Sequence, residues 1–547
     1  MRIKSPIVFF GAFVFLAAFI WQVRLTCSYA DPISKIPAQD EATYVHVARS
    51  MIERGDWLTP TVFGRPFLIK PPLLFLLTAL SIKLLGLTLL TVRLPCLLAG
   101  ALGCLVLYKW PQQSPRPWTG FLAALLLVSN ANWRTFARLC QTDILVVALI
   151  TGALWVLATD PSLERRWRSR VAFGVLAGLA ILAKGLYGVL AILVLLAWWG
   201  IHRVLKLPGA APSVRSLLEV LVVSVAVAAP WHVYQAIRTP EWFWWDYVLY
   251  SLFTWGAAPP VNAEGNALTF YGVRLFMGDP VLCVIVLTAL ARFWRNLRGR
   301  DPQAWMLFCW IAVVSAAMFA FRFHSAHYLL GLVPAMCLLG AHFGPWGTPR
   351  RRLILGGVLA AALLVKSLAP GFHTWSLTFL EPRPDVAADH LRAYYELRRA
   401  NPLILLNADD SFYSAALGLP RVRYGMLSPT GEIPKESRHY RETGIIMSVA
   451  EFIGPEESRA AFRRRLHDWN LSEEPLGTVL VARSTDDLTR LVAHEPRADF
   501  YVPGDIGRGM AERVDSAHRV WQLPGGGVFL LAKESSTALR SPLPAHW

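Results

Sequence analysis

The sequence is poor in charged residues and in cysteines, and both shortages narrow the classes of protein to which the chain can belong. Only 17% of the 547 residues are charged, whereas 54% are apolar and 22 are tryptophans. One soluble core of this size needs fewer apolar residues, so the composition predicts a membrane protein. All seven cysteines lie in or beside apolar segments before residue 371, without zinc-ligand spacing. They predict core thiols and argue against a disulfide framework.

The chain also lacks a nucleotide-binding motif in a recognisable context, and it shows no convincing internal repeat. GDIGRG at 504–509 is interpreted as a lone glycine-rich turn without a preceding strand and a following helix, so it predicts no nucleotide site. We expect no nucleic-acid partner. The first apolar run, 6–20, has no convincing small-residue cleavage site and predicts an uncleaved first helix.

Long apolar runs stop near residue 370, and the composition changes class there. Residues 1–370 therefore predict a transmembrane domain, in which 31–92 form an outer loop with juxtamembrane helices. The net charge of +17 comes from this part, because acidic and basic residues nearly balance from residue 371 onward. Residues 371–547 alternate helix-like and strand-like segments, which predicts a soluble α/β domain of about four or five strands.

Clusters of Lys and Arg recur along 1–370 and decide the predicted topology, because such clusters favour the cytoplasmic side of a membrane. About eleven spans fit between the clusters and place the C-terminal domain outside, in the periplasm. The apolar run 71–90 predicts a helix at the outer interface, and re-entrant or paired shorter spans there raise the number to about thirteen. The predicted spans are 6–26, 93–109, 118–137, 144–159, 172–184, 186–203, 216–234, 274–292, 303–321, 328–344 and 353–370.

This topology gathers on the outer face the ionisable residues that do not anchor cytoplasmic loops. Charged groups at membrane depth are costly, so they tend to be functional or paired. The residues concerned are Asp40, Glu41, Lys70, Arg138, Asp143, Lys184, His324 and His327.

Three of these residues, Asp40, Glu41 and Lys70, lie in the outer loop. QDEATYVHVARSMIERGDW at 39–57 predicts an amphipathic helix that Asp40 caps and Gly55 ends, and this capping role competes with a catalytic one. Lys70 precedes two prolines in GRPFLIKPPLLF, which keep it out of a regular helix and let it grip a lipid phosphate. A snorkelling interfacial lysine is the alternative.

Three more lie at outer helix ends. Arg138 and Asp143 in FARLCQTDILVV form either a salt-bridged turn or part of a site. Lys184 in ILAKGLYG interrupts an apolar stretch and needs a partner, such as Asp143, Asp40 or a phosphate.

The segment FRFHSAHYLLGLVP brings His324, His327 and Tyr328 to the same boundary. A single His-x-x-His pair without fixed carboxylates is weak evidence for metal, so hydrogen bonding to a phosphate or a sugar is the favoured prediction.

The order and spacing of several motifs resemble one family of membrane enzymes. QDEATYVHVARSM, GDWLTP, GRPFLIKPPLLF, ARLCQTD, LAKG and HYLLGLVPA resemble the bacterial aminoarabinose (4-amino-4-deoxy-L-arabinose) lipid A transferases and the wider protein-mannosyltransferase-like superfamily. The resemblance implies a polytopic α-helical glycosyltransferase of the GT-C type with a C-terminal soluble α/β domain. It also implies transfer of a sugar from undecaprenyl phosphate to lipid A or lipopolysaccharide, on the periplasmic face of the bacterial inner membrane.

The resemblance also assigns roles by position. Asp40 matches the family's catalytic acid, Lys70 the lysine at the donor phosphate, and Asp143 a second acidic site position. We expect Arg138 and Lys184 to help stabilise the leaving phosphate, because cations there lower the barrier. Substrate contacts are predicted for Glu41, Tyr44, His324, His327 and Tyr328. No cofactor is certain, and the sequence leaves a divalent metal open.

Two other functions stay open at this point. One is a related lipid-phosphosugar transferase that acts on another glycan or on protein. The other is a lipid or sugar transporter, although transporters usually place their polar site near the bilayer midplane, between internal repeats.

Overall fold

The computed structural model describes most of the helical part and the sheet of the C-terminal part. The described residues are 13–20, 23, 39–62, 65–111, 117–164, 167–254, 267–321, 324–344, 346, 357, 390, 394, 397, 401–406, 422–430, 445–468, 478–513, 517–524 and 526–533. The chain forms two compact units. One contains 1–28, 69–77 and 93–381, and the other contains 29–68, 78–92 and 382–547.

The first unit is built from apolar helices. Among the described residues, six helices are long and apolar enough to cross a membrane. The helices and helical turns that lie wholly in this unit are Pro117–Ser129, Ala131–Ala137, Thr142–Thr159, Trp167–Lys184, Gly185–Val189, Leu190–Val204, Val214–Arg238, Pro240–Trp242, Phe243–Thr254, Ala267–Gly278, Pro280–Arg298, Pro302–Ala320, Ala326–Gly331 and Val333–Phe343. Leu89–Tyr108 and Leu73–Leu85 each belong partly to it.

Most predicted spans coincide with described helices, but three spans are divided. The span at 328–344 is divided between Ala326–Gly331 and Val333–Phe343, and only residues 13–20 and 23 of the span at 6–26 are described. Asn130 divides the span predicted at 118–137, because its side chain accepts the backbone N–H of Trp133 and starts a new helix. Asp279 divides the span at 274–292 in the same way. Its carboxylate accepts the backbone N–H of Leu282, and Pro280 is the first residue of the new helix. The Asn130 amide donates a hydrogen bond to the Asp279 carboxylate at 3.0 Å, so the two divisions are joined. The span at 353–370 lies outside the described residues except for helical residue 357.

A glycine-dependent turn separates the helices Trp167–Lys184 and Leu190–Val204. Gly185 has φ of +54°, in the left-handed region that favours glycine. A β-carbon on Gly185 would lie 3.1 Å from the hydroxyl of Tyr247. That hydroxyl is 2.8 Å from Nε2 of His232, which fixes the tyrosine behind the turn.

The second unit includes a small structure near the N-terminus. The helix Gln39–Arg54 packs beside the two-stranded antiparallel pair β1 (Thr61–Val62) and β2 (Arg65–Pro66). Because the helix begins at Gln39, Asp40 lies in its first turn and not at the predicted N-cap position. The predicted interfacial helix at 71–90 is observed as Leu73–Leu85, and Gly86 with φ of +83° follows its end.

The C-terminal part of this unit forms one mixed sheet. Its strands are β3 (Leu403–Leu406), β4 (Val422–Leu427), β5 (Ile445–Ser448), β6 (Thr478–Ala482), β7 (Asp499–Val502), β8 (His518–Gln522) and β9 (Val528–Ala532). The described residues give the order β5-β6-β4-β3-β7-β9-β8, in which β9 pairs antiparallel with both β7 and β8 and the other neighbouring strands pair in parallel. The helices beside it are Val449–Phe452, Glu456–Asp468, Thr485–His494 and Gly504–Ala511.

Two predictions for this sheet are wrong. It has seven described strands, more than the four or five predicted, because β4 and β8 mix polar with apolar residues. GDIGRG does follow a strand, β7, and it forms the helix Gly504–Ala511. The preceding strand and the helix that the prediction excluded are therefore both present. A glycine-rich helix start alone still defines no ligand site.

Candidate active site

The centre of the candidate site is an ion pair between two helices of the first unit. Asp143 lies in the first turn of Thr142–Thr159, where the positive end of the helix dipole favours a carboxylate. Lys184 is the last residue of Trp167–Lys184, and its Nζ donates a hydrogen bond to Oδ1 of Asp143. The two side chains are only 11% and 9% exposed, so each charge depends on the other. Of the three partners predicted for Lys184, the structure shows Asp143.

His327 extends this pair. Its Nε2 lies 4.0 Å from Oδ1 of Asp143, and its Nδ1 lies 2.7 Å from the hydroxyl of Ser325. The two ring nitrogens thus face two different oxygens, which orients the imidazole toward the carboxylate.

Two tyrosines enclose the ammonium group of Lys184. Its Nζ lies 5.5 Å from the ring centroid of Tyr187 and 5.5 Å from that of Tyr328. The two rings stack at 6.2 Å, and the Tyr187 hydroxyl donates to the Tyr328 carbonyl at 3.3 Å. Both aromatic rings therefore stabilise the ammonium group of Lys184. Sequence reasoning missed Tyr187, although its place three residues after Lys184 was a usable signal.

Lys70 and a pair of arginines add further positive charge. Lys70 is half-buried, and its charge acts on Asp143. Arg138 is buried, and its Nε donates to the carbonyl of Arg134 at 3.1 Å.

Arg134 is a cation that the sequence analysis did not select. It is buried one helical turn before Arg138, and its Nε has no hydrogen-bond partner in the described part of the chain. The charge of Arg138 repels this guanidinium, and the Asp279 carboxylate attracts it.

The two histidines of the His-x-x-His segment do not converge. His327 faces Asp143, whereas the ring of His324 lies 5.6 Å from that of Phe270 and 5.5 Å from that of Tyr271. Within the described ranges, no group of three or more His, Cys, Asp or Glu side chains is close enough to hold a metal ion.

Asp40, Glu41 and Tyr44 lie in the helix Gln39–Arg54 of the second unit. Glu41 and Tyr44 are buried, and the Tyr44 ring lies 6.4 Å from that of Phe67. The side chain of Asp40 is outside the described residues. The convergence of Asp40 with Lys70 and Asp143 therefore stays a prediction.

Comparison with known proteins places the core of this site in a matched region. Residues 69–224 match the family model of dolichyl-phosphate-mannose-protein mannosyltransferases, and this range contains Lys70, Arg138, Asp143 and Lys184. The family resemblance predicted from the sequence is confirmed. Two relatives are named undecaprenyl phosphate-alpha-4-amino-4-deoxy-L-arabinose arabinosyl transferase. The one from Aeromonas hydrophila is 24% identical, over 52% of both chains. The one from Pectobacterium atrosepticum is 25% identical, over 61% of this chain and 62% of that protein.

These matches leave part of each relative uncovered, since the chain spans between about half and 62% of their length. A solved structure covers more of the chain. ArnT from Cupriavidus metallidurans bound to undecaprenyl phosphate is similar over 98% of this chain and 99% of its own, with a TM-score of 0.66 and 18% identity. The predicted fold class is therefore confirmed as a polytopic helical membrane protein with a C-terminal α/β part.

Proposed function

We propose that the protein is a membrane glycosyltransferase that moves a sugar from undecaprenyl phosphate to lipid A or lipopolysaccharide. The observation that carries this proposal is the buried Asp143 and Lys184 pair with Lys70 and His327 around it. The names of the relatives make 4-amino-4-deoxy-L-arabinose the first candidate sugar. The reaction would take place on the periplasmic face of the bacterial inner membrane, the side to which the charge pattern assigns the C-terminal domain.

The cations suit the departure of a lipid phosphate. When the bond between the anomeric carbon and the phosphate oxygen breaks, negative charge grows on that oxygen. Lys70 and Arg138 would bind the phosphate, and Lys184 would contribute the part of its charge that Asp143 does not neutralise. Burial strengthens these interactions because little water screens them.

The carboxylates serve two distinct purposes in this proposal. Asp40 would orient the acceptor or stabilise the positive charge that develops on the sugar carbon, and it would accept a proton from a hydroxyl acceptor. Asp143 would hold Lys184 and His327 in place while it also faces the reacting sugar. A phosphate acceptor is already ionised, so there the same residues would act through orientation and charge.

A related transferase with another sugar or acceptor would use the same site. For this reason the assay must identify the product itself. Purified protein would be incubated with undecaprenyl phosphate-α-4-amino-4-deoxy-L-arabinose, or with other undecaprenyl-phosphate sugars, and lipid A. Mass spectrometry would then measure whether the acceptor gains the mass of one sugar.

Two variants test the site within that assay. Lys70→Ala and Asp143→Asn should abolish transfer, whereas Lys83→Ala removes a lysine that lies over the Trp57 ring and should leave transfer intact. Equal turnover of all three variants would remove this site from the reaction. Movement of intact donor across vesicles, with no acceptor product, would instead favour a transporter.

A further inference from the structure

The strongest unexplained feature lies beside the proposed phosphate site. Tyr271, on the helix Ala267–Gly278, meets His324 with ring centroids 5.5 Å apart in an edge-to-face arrangement. Tyr271 is 4% exposed, and its hydroxyl has no hydrogen-bond partner among the described residues. The same holds for the buried Nδ1 of His324. The Ser325 backbone N–H is directed at the hydroxyl oxygen, so the O–H proton is the part of this group that lacks an acceptor among the described residues.

The Tyr271 O–H proton and the His324 Nδ1, on two neighbouring rings, are left for a ligand to satisfy. A buried donor or acceptor left unpaired costs about 1–3 kcal/mol, so natural proteins seldom leave two together. Tyr271 offers an O–H donor, and Nδ1 of His324 donates or accepts according to its tautomer. Hydroxyl or amino groups of a ligand supply the donors and acceptors that these two atoms need.

The surroundings favour a sugar over a free ion. The Phe270 ring lies 5.6 Å from that of His324, and the Phe319 ring lies 6.2 Å from that of Tyr271. Aromatic walls with a few directed polar atoms are the usual lining of sites for small organic ligands. The nearby Arg274 guanidinium lies 3.5 Å from the centroid of the Phe270 ring and extends the same aromatic surface.

The backbone links Tyr271 and its neighbour His324 to the ion pair through the segment 324–327. His324 and His327 flank Ser325, whose hydroxyl contacts His327, and His327 faces Asp143. A donor whose phosphate is held by the cations near Asp143 would therefore carry its sugar within reach of His324. We propose that Tyr271 and His324 bind a hydroxyl or amino group of the donor sugar. This assignment rests on the proposed function, since it needs a sugar attached to the lipid phosphate.

The test compares two lipids that differ only in the sugar. Binding of undecaprenyl phosphate and of undecaprenyl phosphate-α-4-amino-4-deoxy-L-arabinose would be measured on wild type, Tyr271→Phe and His324→Gln. Each variant should weaken binding of the sugar-bearing lipid about tenfold, as expected for one hydrogen bond, and leave undecaprenyl phosphate unchanged. Tyr234→Phe, which removes a half-buried hydroxyl from another helix, should change neither affinity.

Other outcomes would overturn the assignment. Equal weakening of both lipids would make the pair a support for the fold or for the phosphate, and no change would leave it without a ligand role. A rise in KM for lipid A alone would move the pair to the acceptor. If wild type transfers no sugar but the difference between the lipids persists, the proposed function fails while the sugar subsite stands.

Discussion

Lys184 donates a hydrogen bond to Asp143 across two neighbouring helices, although 41 positions separate them in the sequence. Breaking a buried ion pair leaves one uncompensated charge, which typically costs about 3–5 kcal/mol. We therefore expect Lys184→Met to lower the thermal unfolding temperature, measured in detergent by intrinsic fluorescence. The double variant Lys184→Met with Asp143→Leu should regain most of that stability, because no charge is then left alone. It should still transfer no sugar, which separates the catalytic role from the structural one. Recovery of transfer in the double variant would contradict the proposed role of the pair.

The tyrosine pair around Lys184 gives a graded prediction. Tyr187→Phe keeps the ring that faces Nζ and loses the hydrogen bond to the Tyr328 carbonyl, so kcat/KM should fall less than about fivefold. Tyr187→Leu loses the ring as well and should lower kcat/KM about tenfold or more. Steady-state assays on both variants check the order. Equal losses would show that the hydroxyl, and not the aromatic face, is what matters.

The hydrogen bond between Asn130 and Asp279 should contribute more to stability than an ordinary helix cap. Asp279→Ala removes both a cap and the link to Asn130, so we expect a loss of about 2–3 kcal/mol. Asp301→Ala is the matched control, because Asp301 also precedes a proline and caps its helix through the N–H of Gln303. Its loss should be nearer about 1 kcal/mol. Unfolding curves that gave the control the larger loss would refute the link.

The stability of the helix Gln39–Arg54 should depend on pH through His46. Burial and the charge of Arg49 lower the pKa of His46 from 6.5 to about 3. Below pH 6.5 the His46 imidazole binds a proton in the unfolded chain but not in the folded chain. The free energy of unfolding therefore decreases as the pH falls from 6.5 toward 3. Protection of this helix in hydrogen exchange should drop between pH 7.5 and pH 5. His46→Gln should flatten that dependence, and an unchanged slope would exclude His46 as its source.

The sequence predicted the helical part well because apolar length and basic clusters report directly on membrane spans. It missed the divisions at Asn130 and Asp279, since a single polar residue inside an apolar run changes average hydropathy little. The Asp-Pro pair at 279–280 was a usable helix-start signal. In the sheet, β8 lies at an edge and only its first residue, His518, is fully buried, so its apolar pattern is weaker than that of buried β3.

The residues of the candidate site were likewise only partly predictable from the sequence. A lysine in an apolar run needs a partner, and the sequence offered Asp143, Asp40 or a phosphate as the partner of Lys184. Tyr187, Tyr271 and Arg134 were not selected, because aromatic and basic residues near membrane boundaries are common and only three-dimensional contacts distinguish these three. The separation of His324 from His327 also follows from backbone geometry that residue spacing alone does not fix.

The turn at Gly185 has a consequence for how far this region of the protein can vary. The next residue after Lys184 must adopt a left-handed backbone and must leave space for the Tyr247 hydroxyl. A side chain at this position would strain the backbone and press on the Tyr247 hydroxyl, directly beside the lysine that pairs with Asp143. A saturation library scored for sugar transfer should return glycine here almost exclusively.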